Sequence, residues 1–436
     1  MNAKAMADVR APIQERLGLA LLLYLCIVVC CVSLVCIAAI YPEFHIFFKP
    51  ADLFSAMSVI ALFSVVAILF VFAEFSFGYY IAFHFYIMVV GYLWLNHFSG
   101  FIYNHRLSAL SAAASALAFL VPALFITSPL RQAWSPSPRN FNRLLNLLIL
   151  IGAATVAVGA TYNFRLMAIG DIYSYRDKLV SPTFLNYLIG ITSTALLPFA
   201  FACFVERKAF WRAGAVLLLL LCYYPITLSK LALFAPAWML GMLVLSRLFE
   251  LRVAIVISLL APMAFGVFLF VLSTNKLAPY GLMIPYFGLV NFRMVAIPSL
   301  AMEYYNEFFF GHDLTHFCQI RPLKPIMTCP YQDQLSVVIY NAFGIGGNFN
   351  ASLFATEGIA SVGAMFAPVA VFAGGLIIGL ANRLSAGLPP RLVLISAAVL
   401  VQVLLNVPFT TVLLTHGGVF LFLLWYITPR AASDAK

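Results

Sequence analysis

The chain has 436 residues, of which 64% are apolar and 9% charged, with a formal net charge of +10 and a mean hydropathy of +1.01. A soluble domain needs roughly a quarter charged residues to cover its surface, so this composition excludes one. Apolar runs of about 20 residues recur along the whole length, each long enough to span a hydrocarbon core. Inside lipid every backbone polar group must be paired within the segment, so these runs are expected to be helices.

The reading is an all-α, polytopic integral membrane protein, one membrane domain over residues 1–436, with about twelve transmembrane helices. In chain order the predicted cores are 17–40, 53–73, 79–96, 108–127 and 144–161. They continue with 184–205, 213–228, 231–248 and 253–273, then 355–381, 392–408 and 412–427. Residues 1–16 are polar and the first apolar run is too long for a signal peptide, so it is expected to remain as a span. Between the ninth and tenth spans lies residues 274–354, the one large soluble-looking piece, with an earlier charged loop at 162–183.

Orientation follows from Lys and Arg. With the N-terminus inside, 15 of the 25 basic residues fall on the cytoplasmic side, among them Arg131, Arg139, Arg143, Arg207, Lys208 and Arg212. Both termini are then cytoplasmic. Most of the net charge is this bias, and no basic low-complexity arm of the kind nucleic-acid binders use is present. Cys26, Cys30, Cys31, Cys36, Cys203 and Cys222 sit in apolar spans and read as small hydrophobes. Cys318 and Cys329 fall in the external loop, where either a disulfide or two free thiols fits. No cysteine pattern has metal-ligand spacing, and no cofactor is implied.

The remaining basic residues are external, against the positive-inside trend. Arg165 and Arg176 lie in "YNFRLMAIGDIYSYRDKL" (162–179). Lys230 lies at the turn of the hairpin "YYPITLSKLALF", and Arg293 and Arg321 lie in the large loop. Arg binds oxygen pairs bidentately and does not deprotonate, so these five residues together suit a phosphate or pyrophosphate. The alternative is local pairing of each Arg with a nearby acid, which on a surface is common and weak.

Within the large loop, "NFRMVAIPSLAMEYYNEFF" (291–309) reads as an interfacial or re-entrant helix. Glu303 and Glu307 are an i,i+4 pair whose like charges repel. Arg293 is roughly 15 Å from Glu303 at the standard helical rise, so an Arg from elsewhere is expected as their partner. Tyr304 and Tyr305 either anchor the interface or offer platforms for a sugar. His312 and His316 in "GHDLTHF" share a helical spacing but lack a third metal ligand. The readings left for His312 are a solvated loop residue or a general base. "GIGGNFNASLFATEGIASVG" (344–363) has no Lys-Ser/Thr ending and is no Walker loop. Its glycines allow a close backbone approach or a turn, and its Glu357 enters an apolar helix, where an ionisable group is a functional candidate or an acid favoured by the helix dipole.

In order and spacing, "DIYSYR", "LSKLALF", "FRMVAIPSLAMEYYNEFF" and "GNFNASLFATEGIASVG" make the chain resemble the Wzy-type O-antigen or oligosaccharide repeat-unit polymerases of bacterial inner membranes. Arg176, Lys230, Arg293 and Glu357 match that family's pattern by position. Val362 stands where the family often has an aromatic before the glycine. The resemblance implies a metal-independent membrane glycosyltransferase of lipopolysaccharide or related polysaccharide biosynthesis. It moves a growing glycan from undecaprenyl pyrophosphate onto another lipid-linked repeat unit at the periplasmic face. Its partners would be that donor and acceptor, the membrane lipid and a chain-length regulator. Arg165, Arg176, Lys230, Arg293 and Arg321 would bind the pyrophosphate and stabilise its developing charge. Glu357, Glu303 or His312 would take the acceptor proton. Two other functions share these features: an O-antigen ligase, which uses the same donor, and a transporter or flippase of lipid-linked glycan. A transporter would place charge near span centres or in repeated halves, and neither is visible here.

Overall fold

A computed structural model describes residues 3–168, 171–172, 175, 179–345, 349 and 352–430, with side chains from residue 14 onward. Among these the chain is helical, without a strand ladder. Eleven helices are long and apolar enough to cross a membrane, or twelve when one bent pair is taken as a single span. The first nine are α1 (Gln14–Ile40), α2 (Pro50–Phe72), α3 (Phe77–Leu95), α4 (His105–Phe125) and α5 (Pro138–Tyr162), then α6 (Thr183–Glu206), α7 (Phe210–Thr227), α8 (Lys230–Leu248) and α9 (Leu251–Thr274). These coincide with the nine runs expected from hydropathy. The bent pair is Phe409–Thr415 with Gly418–Ile427, turned by 59°. Pro390–Leu404 is apolar but shorter than the others.

Helix starts follow local chemistry. Ser76 Oγ accepts from Tyr79 N–H at 3.0 Å at the head of α3. Asn104 Oδ1 accepts from Leu107 N–H at 3.1 Å at the head of α4. Ser137 Oγ accepts from Asn140 N–H, with Pro138 at the first helical position of α5. Each side chain satisfies one of the orphan donors of a helix N-terminus.

Two compact units are present. One comprises residues 1–126, 252–379 and 405–409; the other comprises 127–251, 380–404 and 410–436. The centre of the first is α3, all of whose residues are buried. In the second, the loop after α5 packs on the hairpin between α7 and α8: Ile172 meets Tyr224 and Leu228, with Met167, Leu179 and Leu233 around them.

The structure adds one long helix that hydropathy had left inside the external piece. α10 (Tyr280–Gly311) runs for 32 residues through a π-helical stretch at Gly288–Ala296. Its polar residues broke the apolar run in sequence, yet most of them are turned inward and paired. Phe292 stacks on Tyr41 and Phe44, ring centroids 4.5 and 4.9 Å away, in the connection between α1 and α2. Glu307 accepts a hydrogen bond from Ile102 N–H in the connection between α3 and α4. Two crossings, α2 and α3, separate these connections, so they lie on one face. The part of α10 from 292 to 307 therefore reaches the same face at both ends. The opposite face is marked by Arg252, which donates to the carbonyls of Val71 and Ala73.

α12 (Phe354–Ser385), the helix after the short α11 (Leu335–Phe343), is also broken. It opens with a π-helical turn, Phe354–Ile359, and is interrupted at Gly363, where φ is 72° and ψ 167°. Only glycine enters that region without strain. The break frees carbonyls just before it, and the loop after α10 satisfies them: Thr315 N–H donates to Ala360 O at 2.8 Å and His316 N–H to Ser361 O at 3.1 Å.

Candidate functional site

Three acids of the first unit, Glu303, Glu307 and Glu357, lie on α10 or on the segment packed against it. Glu303 is 1% exposed on α10. Its partner is not an arginine, as the like-charged pair had suggested, but the phenol of Tyr103, whose Oη lies 2.5 Å from Glu303 Oε2. Glu307 is bound instead by a backbone donor, Ile102 N–H, at 2.8 Å. The repulsion between the two acids is thus met by two neutral donors from the α3–α4 connection. Burial first, and then the charge of Glu303, holds the Tyr103 phenol well above its ordinary range, so it remains a donor.

Around this pair lies a polar network inside an otherwise apolar bundle. Asn306, one turn beyond Glu303, donates from Nδ2 to Tyr92 Oη at 3.1 Å and to Met302 O at 2.8 Å. Its Oδ1 accepts from Ser108 Oγ at 2.8 Å. Tyr92 and Tyr103 hydroxyls lie 3.4 Å apart. Asn96 and His105 complete the group beside Tyr103. A buried network of this kind is worthwhile only when its members are paired. None of Asn96, Tyr103, His105 or Asn306 was singled out from sequence. The signal was present in "NHFSGFIYNHR" (96–106), a dense polar and aromatic run between two apolar spans.

His312 follows the end of α10. Its Nδ1 is 2.7 Å from Phe308 O, and its ring stacks on Phe308 with centroids 4.0 Å apart and planes 6° from parallel. A carbonyl only accepts, so Nδ1 is the donor in this contact. His312 is exposed, and Nε2 has no partner among the described residues. Tyr331 packs on Phe308 and Phe309, and its segment is tied back by the Cys318–Cys329 disulfide. The open question of those two cysteines is thereby resolved as a pair.

Glu357 is buried in the π-helical turn that opens α12, where the Thr356 hydroxyl donates to its Oε2. Its charge bears on Tyr305 of α10, two residues after Glu303. Glu303, Glu357 and His312 are therefore carried by the C-terminal part of α10, the residue that follows it and the segment packed against it. Arg293 is exposed on the π-helical stretch of α10 without an ion-pair partner among the described residues. Arg321 is exposed in the disulfide-closed loop.

The second unit holds the other basic candidates. Arg165 N–H donates to Pro225 O at 2.9 Å, and its guanidinium lies 5.6 Å from the Tyr175 ring centre. Pro225 belongs to the hairpin that leads into Lys230, the first residue of α8. The charged loop after α5 is thus packed on the hairpin that carries Lys230. Arg176 lies outside the described residues. Among the described residues, no group of three His, Cys, Asp or Glu is close enough to hold a metal.

No protein-family model, curated protein or solved structure matches the chain.

Proposed function

We propose that this multi-pass membrane protein is a glycosyltransferase that polymerises lipid-pyrophosphate-linked oligosaccharide repeat units at the outer face of a bacterial inner membrane. The observation that carries the reading is the set of proton-handling groups at one face of the first unit. Glu303 and Glu357 are buried in helices, and His312 is tied to Phe308 O through Nδ1 with Nε2 open. A chain with 9% charged residues gains nothing in stability from burying carboxylates, so a chemical use is the simpler account. The Lys and Arg distribution in the sequence supports an outside placement of this face, and the sequence resemblance supplies the substrate class. In this reading one of the three groups takes the proton of the acceptor hydroxyl. Arg293 and Arg321 of the first unit stabilise charge on the departing pyrophosphate.

Transport of the same lipid-linked glycan is the second reading, favoured by the break at Gly363 next to a buried acid. Discontinuous helices beside ionisable groups are a transporter device. The two separate in one experiment. Arg293→Ala and Glu357→Gln are compared with the wild type for glycan chain length in membranes, at matched protein levels. Accumulation of single lipid-linked units at the outer face supports the polymerase. Long chains in both variants, or single units retained at the cytoplasmic side, sink it.

A further inference from the structure

The contacts of Glu303 contain a proton count. Tyr103 Oη lies 2.5 Å from Glu303 Oε2 and also 2.8 Å from Asn96 Oδ1. The Asn96 amide is oriented by its own donor, since Nδ2 reaches the His105 carbonyl at 3.2 Å. So it is the amide oxygen that faces Tyr103. A phenol has one proton to give. If Glu303 is ionised, Tyr103 donates to it, and the Tyr103 and Asn96 oxygens face one another with no hydrogen between them. If Glu303 holds a proton, it donates to Tyr103 and Tyr103 donates to Asn96. Every short contact then contains one hydrogen. The Tyr103 hydroxyl thus has an acceptor within reach in either state of the carboxyl.

His105 fixes the far end. Its Nε2 is 3.0 Å from Phe101 O, and its Nδ1 is 2.9 Å from Asn96 Oδ1. The ring thus bridges the Phe101 carbonyl and the Asn96 amide oxygen and holds that amide in place. The ring also lies against Tyr103, with centroids 4.2 Å apart, and is half-buried where the α3–α4 connection meets α4. Glu303 Oε1, buried, has no hydrogen-bond partner among the described residues.

We propose that Asn96, Tyr103 and His105 are positioning residues that make Glu303 the proton-exchanging carboxyl of this face. The Tyr103 hydroxyl turns from Glu303 to Asn96 as the carboxyl gains its proton, and back as it loses it. The use of this device rests on the transfer reading above. Transfer starts with Glu303 ionised and Tyr103 donating to it. The acceptor hydroxyl gives its proton to Glu303 as its oxygen bonds the donor sugar. The sugar's bond to the lipid pyrophosphate breaks, and the pyrophosphate leaves with that electron pair. Glu303 then releases the proton to water, and Tyr103 turns back. Other titratable groups bear on this chain. Glu307 and Tyr304 come from the helix of Glu303 itself, and Tyr92 comes from α3. His97 faces His105 and Asp52. Glu357 acts on the neighbouring Tyr305, and Glu43 acts on Tyr304.

The test is infrared difference spectroscopy of the full-length protein in detergent, titrated with pH. A protonated-carboxyl band that Glu303→Gln removes is expected. Tyr103→Phe deletes a donor to the ionised form and should move the midpoint of that band up by about one pH unit. His105→Gln removes the ring that holds the Asn96 amide and should move the midpoint as well. A titrating band that survives Glu303→Gln overturns the proposal, and so does a midpoint unmoved by both neighbours. Polymerisation by the same variants separates the two ideas. If the band behaves as expected and Glu303→Gln still polymerises, the proton site stands and the transfer reading loses Glu303. If Glu303→Gln abolishes polymerisation while the midpoint ignores Tyr103 and His105, the positioning roles fail and the transfer reading stands.

Discussion

Asn291 anchors the middle of α10, and a single methyl group added elsewhere should dislodge it. The Asn291 side chain is buried, and its Nδ2 donates to Ser33 Oγ and to Met263 O, both at 2.9 Å. It fits because residue 266 of α9 is glycine. A Cβ there would sit 1.7 Å from Asn291 Oδ1 and 2.6 Å from its Cγ. No rotation of a methyl relieves a contact that short, so Gly266→Ala expels the amide and both bonds are lost. Interhelical hydrogen bonds in membrane proteins average about 0.6 kcal/mol and reach about 1.7. The loss is therefore about 1–3 kcal/mol, a change of roughly 5- to 150-fold in the unfolding equilibrium. The assay is the SDS-induced unfolding midpoint of purified protein for Gly266→Ala, Asn291→Ala and the double variant. Shortening Asn291 makes room for the new methyl, so the double variant should match Asn291→Ala within about 0.5 kcal/mol instead of showing additive loss. Additive costs, or a Gly266→Ala protein as stable as the wild type, would refute the packing of α10 on α9 and α1.

Glu307→Gln keeps an acceptor for Ile102 N–H at a half-buried position, so stability should change by no more than about 0.5 kcal/mol. Its polymerisation should stay within a few-fold of the wild type in the chain-length assay, whereas Glu303→Gln should abolish it. Gly363→Ala should destabilise by about 1–3 kcal/mol, because the observed φ and ψ belong to glycine alone. Its expected signature is faster hydrogen exchange at Thr315 and His316, whose amides bond the carbonyls that the break releases. Alkylation of the unfolded, unreduced protein should modify six of the eight cysteines, since Cys318 and Cys329 are paired; modification of all eight would remove that link. Ile102→Cys, 83% exposed, should react with a membrane-impermeant thiol reagent added outside the cell. Trp211→Cys, 87% exposed and on the expected cytoplasmic side, should not react until the membrane is opened. The opposite pattern inverts the topology.

The apolar runs were legible because lipid forces helices wherever about 20 apolar residues occur. The nine runs from residue 17 to residue 273 correspond to α1 through α9 for that reason. α10 was not read as one long helix. Hydropathy averages over all sides of a helix, so Asn291, Glu303 and Asn306 counted as exposed charge or polarity when each is turned inward and, apart from an oxygen on Asn291 and one on Glu303, paired. The kink of α12 escaped for the opposite reason. Glycine in "ASVGAMF" costs hydropathy nothing, and its left-handed φ is a property of the backbone alone.

The candidate site was legible as residue types and not as partnerships. Spacing placed Glu303 and Glu307 on one helical face and demanded a counter-group. Elementary electrostatics nominated an arginine, the commonest choice. The structure supplies a phenol and a main-chain amide, which remove the repulsion without adding a charge to the bundle. That difference carries a chemical consequence. An arginine beside Glu303 would lock it as a carboxylate, whereas a hydroxyl that can turn between two acceptors leaves the carboxyl free to gain and lose a proton. A long-range partnership such as Tyr103 with Glu303, 200 positions apart in sequence, has no local signature. It emerges only when α3, fully buried, fixes where its following connection must lie against α10. The chemistry of this face is therefore set by the packing of the most fully buried helix of the unit as much as by the charged residues that sequence brings to notice.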